Sequence, residues 1–305
     1  ELAPAVMFEF AKLIEKTGIP KGVVNVITGF GDPCGKTLTT HNLVEKIVFT
    51  GGPETARHIV RNSSENLSEV SLELGGKSPV AVFEDADQEN ALNGITAGIF
   101  AASGQSCIAV SRLYIQSKIY DEFLDKLVTK AEKIKLGAPM DKNTQMGPLN
   151  SFKQLENIEK IIKATIEQGG KLRCGGKRSN ISNKGYYFPA TIIECKNHNL
   201  PSAENELFGP VLAVMPFQDE EQAVELANGT PFGLVSGVWT QDGARQFRMA
   251  KKLKSGQVFI NNYGAGGGVE LPFGGVKLSG HGREKGFEAL YGFSVTKTIA
   301  IHHGE

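Results

Sequence analysis

Apolar residues return at two different intervals along this chain. Val6, Phe10, Leu13 and Ile14 fall on one face of a helix over 3–17, which Gly18 and Pro20 close. Short apolar runs follow, GVVNVIT (22–28), VEKIVFT (44–50), EVSLEL (69–74) and PVAVF (79–83), and each predicts a strand. A Gly-rich turn and a short helix separate the first two, and a helix over 53–66, with Pro53 suited to its first position, precedes the third. Strand, helix and strand in this rhythm predict βαβ units and a parallel sheet.

A longer α/β body comes next. Helical periodicity covers 86–102, 118–134 and 151–168, with the strand RLYIQ at 112–116. The polar stretch 170–186 reads as a surface hairpin or loop. Strands are expected near 188–193, 211–216, 235–239 and 256–260, with helices near 219–228 and 243–253. The tail FSVTKTIAIHH (293–303) is mostly β-branched and reads as a late strand without a nearby partner. Glycines and a proline at 74–79 place the domain boundary there.

Composition narrows the classes. Of 305 residues, 40% are apolar and 22% charged, as in ordinary globular proteins. Thirty-three basic residues balance 33 acidic ones, so no basic surplus points to nucleic acid or an anionic membrane surface. There is no apolar run long enough to cross a bilayer, and no charged-then-apolar leader is expected. Four cysteines without a CxxC spacing argue against a disulfide scaffold and against a zinc site, and a reducing, cytoplasmic setting is expected. The chain opens at Glu1 almost directly in a helical pattern, so a fragment, or a protein whose upstream part was removed, is expected.

Two glycine-rich loops invite a phosphate-binding reading. TGFGDPCGKT (28–37) fails the P-loop register, because the glycine required six residues before Lys36 is Phe30. It also fails the dinucleotide fingerprint, since Cys34 stands where a third glycine belongs. In VFTGGPETA (48–56) a strand ends in Gly51 and Gly52 and a helix starts near Pro53, so free amides there could face a pyrophosphate; any strand–helix junction looks similar.

Two residue types carry candidate chemistry. Glu73, in SLELGGKSP (71–79), is either a strand-edge carboxylate in solvent or a general base tuned by partial burial. Cys107, in AGIFAASGQSCIAVSR (97–112), is either a small buried hydrophobe or a nucleophile. Gly104, Ser106 and Ala109 leave space beside it, and a helix-to-strand break leaves amides free for an oxyanion. Cys34, Cys174 and Cys195 are assigned to packing or surface positions.

Taken in order, FTGG (49–52), LELGGKSP (72–79), GQSCIA (104–109), ENELFGPVL (204–212), PFGLVSGVW (231–239), INN (260–262) and PFGGVKLSGHGRE (272–284) resemble the NAD(P)-dependent aldehyde dehydrogenase superfamily over nearly the whole length. The resemblance implies an α/β fold: a partial Rossmann-type parallel sheet, the remnant of a dinucleotide-binding domain, over 1–75, an α/β catalytic thiol domain over 76–290, and an oligomerisation strand or tail over 291–305. It implies NAD or NADP as cofactor, an aldehyde as substrate, no metal, and a homo-oligomer for the full-length protein. By position it makes Cys107 the nucleophile and Glu73 the general base for deacylation. Gly51 and Gly52 would face the pyrophosphate, and the Leu74 backbone would meet the nicotinamide amide. Glu206 and Phe208 would hold the nicotinamide ribose and pack near the ring.

The sequence also departs from that pattern. The family's Trp-Asn pair, whose asparagine completes the oxyanion hole, and its KPS segment at the adenosine ribose have no counterpart, since the one tryptophan is Trp239. The C-terminal part of an aldehyde dehydrogenase, with impaired turnover, is therefore expected; the alternatives are a cofactor-independent thiol esterase and a non-catalytic assembly domain. Ala56 replaces a frequent glycine, Ala109 removes a CxC pair, and His281 is given no catalytic role. GAGGGVE (264–270) has no aromatic residue, which predicts a roomy or mobile substrate entrance.

Overall fold

The computed structural model describes residues 1–182, 184–263 and 268–304; most of the loop expected at the substrate entrance, 264–267, lies outside them. In chain order the main elements are α1 (Ala5–Glu15), α2 (Lys36–Thr40), β1 (Lys46–Gly51), α3 (Pro53–Asn62), β2 (Glu69–Leu74), β3 (Ser78–Val82), α4 (Gln88–Phe100), β4 (Val110–Gln116), α5 (Tyr120–Glu132) and α6 (Phe152–Glu167). Then follow β5 (Lys171–Cys174), β6 (Thr191–Glu194), α7 (Pro201–Glu204), β7 (Val211–Phe217), α8 (Glu220–Asn228), β8 (Val235–Trp239), α9 (Gly243–Lys252), β9 (Gln257–Ile260), β10 (Gly280–His281) and α10 (Gly286–Gly292). The chain divides into two units, one of Glu1–Phe49 with Glu54–Val70, the other of Thr50–Pro53 with Ser71 onward.

In the first unit, residues 22–28, expected as a strand, form neither strand nor helix. Val23 and Ile27 are 66% and 68% exposed: β-branched composition alone does not make a strand where no neighbour offers backbone partners. Helix α1 forms as its periodicity predicts, yet Val6, Phe10 and Leu13 remain exposed.

The second unit is built on a seven-stranded sheet in the order β5-β6-β7-β4-β3-β8-β9. Every pair in it is parallel except β5–β6, the antiparallel edge that 170–186 contributes. Helices cover both faces, so the strands are apolar almost without interruption. Side chains alternate all the same: Val80 and Val82 of β3 join α4 and α5 on one face, while Ala81 and Phe83 join α6, α8 and α9 on the other. Side-chain carboxylates or hydroxyls cap the helices, Asp87 on α4, Ser151 on α6, Asp219 on α8 and Asp242 on α9, each accepting from an orphaned first-turn amide.

Segments α7, β10 and α10 are too short or too polar to read from periodicity. Strand β10 pairs antiparallel with β2, Gly280 opposite Glu73 and His281 opposite Leu72. The tail 293–303, expected as a strand, has no regular structure in this chain, with Val295, Ile299 and Ile301 exposed; a strand needs a neighbouring edge to pair with.

One charge sits at the centre of the unit. Arg112 of β4 is 1% exposed, and its guanidinium donates to the carbonyls of Lys77 (2.7 Å), Leu226 (2.8 Å) and Ala227 (2.8 Å) and to the Tyr114 hydroxyl (2.7 Å). It thereby supplies a donor to the Ala227 carbonyl at the end of α8 and a further one to the Leu226 carbonyl, which also accepts from the Tyr114 hydroxyl and the Gly229 amide. Arg112→Leu is expected to cost about 3 kcal/mol of stability, because it removes the guanidinium's hydrogen bonds to Lys77, Leu226, Ala227 and Tyr114 from the interior, and chemical denaturation of the two proteins measures the difference.

Candidate active site

The site is built on a turn between two strands. Strand β2 ends at Leu74, Gly75–Lys77 turn, and β3 starts at Ser78. Lacking side chains, Gly75 and Gly76 let two other segments close on this turn. A Cβ on Gly75 would collide with the Glu206 carboxylate, and one on Gly76 would stand 2.9 Å from the Cys107 carbonyl oxygen. The Gly76 amide donates to Glu206 Oε1 at 3.0 Å. Glycine is needed here for close approach.

Cys107 lies on the descent from α4 into β4. The chain reverses through three successive left-handed residues, Ala102 (φ 50°), Ser103 (φ 57°) and Gly104 (φ 68°). Left-handed backbone is costly for the alanine and serine, about 1 kcal/mol or more each, so the surroundings must hold it. Ser103 Oγ donates to the Gly147 carbonyl at 2.9 Å, and Gly104 packs so tightly on the Gly209 carbonyl that no Cβ fits. Cys107 emerges half-buried, neither sealed in the core nor open to bulk water.

Glu73 is 4% exposed, and both its carboxylate oxygens lack a hydrogen-bond partner among the described residues. The segment before β10 covers it: a Cβ on Gly274 would lie 2.9 Å from Glu73 Oε1. Burial lifts the carboxyl to about 7, the Glu284 charge pushes the same way, and the Arg283 guanidinium pulls against both. Arg283 itself donates to the carbonyls of Gly275 (3.0 Å) and Gly282 (2.6 Å).

The thiol of Cys107 is pushed above the usual cysteine range, by burial first, then by Glu206, and less by Glu73. The backbone amides of Cys107 and Ile108 oppose this by favouring the thiolate. Burial also raises the Glu206 carboxyl, against the Gly76 amide and the Lys77 ammonium. Phe208, with φ 49°, is 42% exposed, and Gln154 donates to its carbonyl at 2.9 Å. Gly76, Gly104, Ser106, Glu206 and Phe208 line one pocket.

The turn thus gathers Glu73, Leu74, Cys107, Glu206 and Phe208. Of the residues expected at the site, Glu206 and Phe208 line this pocket, while Glu73, Leu74, Cys107, Gly51 and Gly52 do not; Gly51 ends β1, and Gly52 precedes α3 with open space where a side chain would stand. Cys174 and Cys195 are buried in the core, and burial raises both thiols to about 11; Cys34 is half-buried. Sequence reasoning missed Lys77, which is 1% exposed with no hydrogen-bond partner for Nζ among the described residues. Its amine is lowered to about 7 by burial and then by Arg112, while Cys195 and Glu206 pull it up. A lysine flanked by Gly76 and Ser78 reads as solvated, and nothing in the motif announces this one's burial.

Comparison with known proteins gives the family. The profile of the aldehyde dehydrogenase family matches residues 1–299, and the chain belongs to that family. It is 52% identical, over 98% of its length, to (Z)-2-((N-methylformamido)methylene)-5-hydroxybutyrolactone dehydrogenase of Acinetobacter baylyi, of which it spans 61%. It is 38% identical over its whole length to a betaine aldehyde dehydrogenase of Brucella anthropi, of which it spans 63%. Among solved structures, a double mutant of betaine aldehyde dehydrogenase from Staphylococcus aureus in complex with NAD+ superposes with a TM-score of 0.93 at 37% identity, covering 97% of this chain and 59% of that one.

A pH dependence follows from Glu73. Its folded pKa is raised from 4.5 to about 7, so its contribution is full below 4.5 and is lost as pH rises through 7. Lys77 adds no slope below about 7, being charged there whether folded or unfolded. The melting temperature is expected to fall between these values, and Glu73→Gln should make the decline shallower in calorimetry at stepped pH. An unchanged slope in the variant would contradict the buried carboxyl.

Proposed function

We propose that this chain serves the NAD(P)-dependent oxidation of an aldehyde to a carboxylic acid. The observation that carries this is the meeting of a half-buried thiol, the half-buried Glu206 carboxyl and the buried Glu73 carboxyl around Gly75–Gly76. Cys107 adds to the aldehyde carbon to give a thiohemiacetal, whose oxyanion takes hydrogen bonds from backbone amides beside Cys107. A bound NAD or NADP would supply the hydride acceptor for that carbon. The resulting thioester on Cys107 is hydrolysed by a water from which Glu73 takes the proton. A carboxyl with a pKa near 7 suits this step, since it can accept a proton at neutral pH and release it again.

The residues present fit a nicotinamide ribose and ring. Glu206 spends Oε1 on the Gly76 amide, which leaves acceptor capacity for ribose hydroxyls, and the exposed Phe208 ring supplies an apolar wall. Leu74 would meet the nicotinamide amide through its backbone, and the amides around Gly51–Gly52 would take the pyrophosphate. In this reading residues 1–75 belong to the dinucleotide-binding domain, 76–290 form the thiol domain, and 291–305 join subunits in a cytoplasmic homo-oligomer. The A. baylyi relative favours, within the aldehyde class, a substrate masked as a cyclic hydroxylactone.

Acyl transfer tests the thiol without cofactor. Mixing the chain with a nitrophenyl ester is expected to release about one equivalent of phenol in a burst. Cys107→Ala should abolish the burst, and Glu73→Gln should keep it while slowing the following turnover by about 10²-fold or more. A burst retained in Cys107→Ala would overturn the assignment.

A further inference from the structure

Tyr263 has no part in the proposed chemistry, yet its surroundings are built around it. The ring occupies a slot between α4 and β8 that two glycines leave open. A Cβ on Gly98 would lie 2.9 Å from ring atom Cδ1, and one on Gly237 would lie 2.8 Å from Cδ2. Phe259 packs against the same ring with centroids 5.5 Å apart. The residue is 8% exposed, and its hydroxyl donates to the Ile108 carbonyl at 2.7 Å. Ser78, the first residue after the Gly75–Lys77 turn, lies near the same phenol, but its hydroxyl makes no hydrogen bond among the described residues, so the Ile108 carbonyl is the phenol's partner. A ring held between two backbones cannot swing, so the direction of its hydroxyl is set by the fold rather than by the thiol loop.

We propose that Tyr263 is a positioning residue for the nucleophile: its hydroxyl pins the Ile108 carbonyl and so keeps the Cys107 and Ile108 amides aimed at the thiol sulfur. The inference rests on the reading of Cys107 as the nucleophile. The groups facing the sulfur are Glu206 and Glu73, which oppose the thiolate, and these two amides, which favour it. Facing the phenol are Ser78, Cys107 and Arg112. Burial keeps the phenol protonated well beyond the ordinary tyrosine range, so it remains a donor at every working pH. Without the hydroxyl the Ile108 carbonyl loses its donor, the loop loosens, and the two carboxylates meet less opposition from the amides.

The test is the pH profile of Cys107 alkylation by iodoacetamide, read by peptide mass, in the 305-residue chain and its variants. Tyr263→Phe is expected to move the midpoint to higher pH and to slow alkylation near neutrality by about threefold to tenfold, the worth of one hydrogen bond. The rate at the alkaline plateau should stay within about twofold. Gly98→Ala, which keeps the hydroxyl but presses on the ring, should shift the midpoint the same way, and it covers the case in which Tyr263→Phe does not fold. Tyr114→Phe is the structural control, since that phenol is also buried but bonds Arg112 and the Leu226 carbonyl; its profile should match the parent's. Superimposable profiles for Tyr263→Phe and the parent would overturn the proposal. So would faster alkylation at every pH together with labelling of Cys174 and Cys195, which would mean a loosened core. The ester burst judges the nucleophile separately: with no burst but a shifted midpoint, the functional reading fails while Tyr263 still places the loop.

Discussion

Two missing side chains hold this site together. Gly75 and Gly76 let the Glu206 carboxylate and the Cys107 carbonyl come within contact distance of one strand-to-strand turn, and any Cβ there would drive one of them away. From that approach follow the Gly76–Glu206 hydrogen bond, the pocket beside Gly104, and the electrostatic communication between the thiol and both carboxyls. Glycine's conformational freedom matters less here than its small volume. The cost of glycine in ordered structure is about 1 kcal/mol each, and close packing of the neighbours offsets it.

The charges around the turn are arranged against one another. Two carboxyls and a thiol share a partly dry space, and burial raises all three toward their neutral forms. Only fixed dipoles oppose this at the sulfur, the amides of Cys107 and Ile108. At Glu206 the opposition comes from the Gly76 amide and the Lys77 amine, itself depressed by burial and Arg112. Glu73 and Lys77, both at about 7, are the groups here that change charge near neutrality, which suits moving a proton through Glu73.

Much of the α/β body was legible because strands buried on both faces read as apolar runs and the helices between them carry caps at their starts. The first thirty residues were less so: 22–28 has strand composition but no paired edge, and α1 has a helical stripe that nothing in the first unit buries. At the site, Glu73, Cys107, Glu206 and Phe208 could be singled out from motif blocks, whereas their convergence is a tertiary fact. Lys77 escaped notice because lysine is ordinarily solvated. Tyr263 escaped because it acts on Ile108 from 155 residues away through a single hydroxyl, and no local pattern encodes that reach.

Arg112 has a consequence of another kind. Its partners are carbonyls and a phenol, all uncharged, so neither mild acid nor added electrolyte removes what it binds. Surface ion pairs such as Lys126–Glu122 fade under those same conditions. The interior anchor joining β4, the Gly75–Lys77 turn and the end of α8 therefore holds no ion pair that electrolyte could screen, and solvent composition acts on this molecule chiefly at its periphery and at the buried titrating groups Glu73 and Lys77.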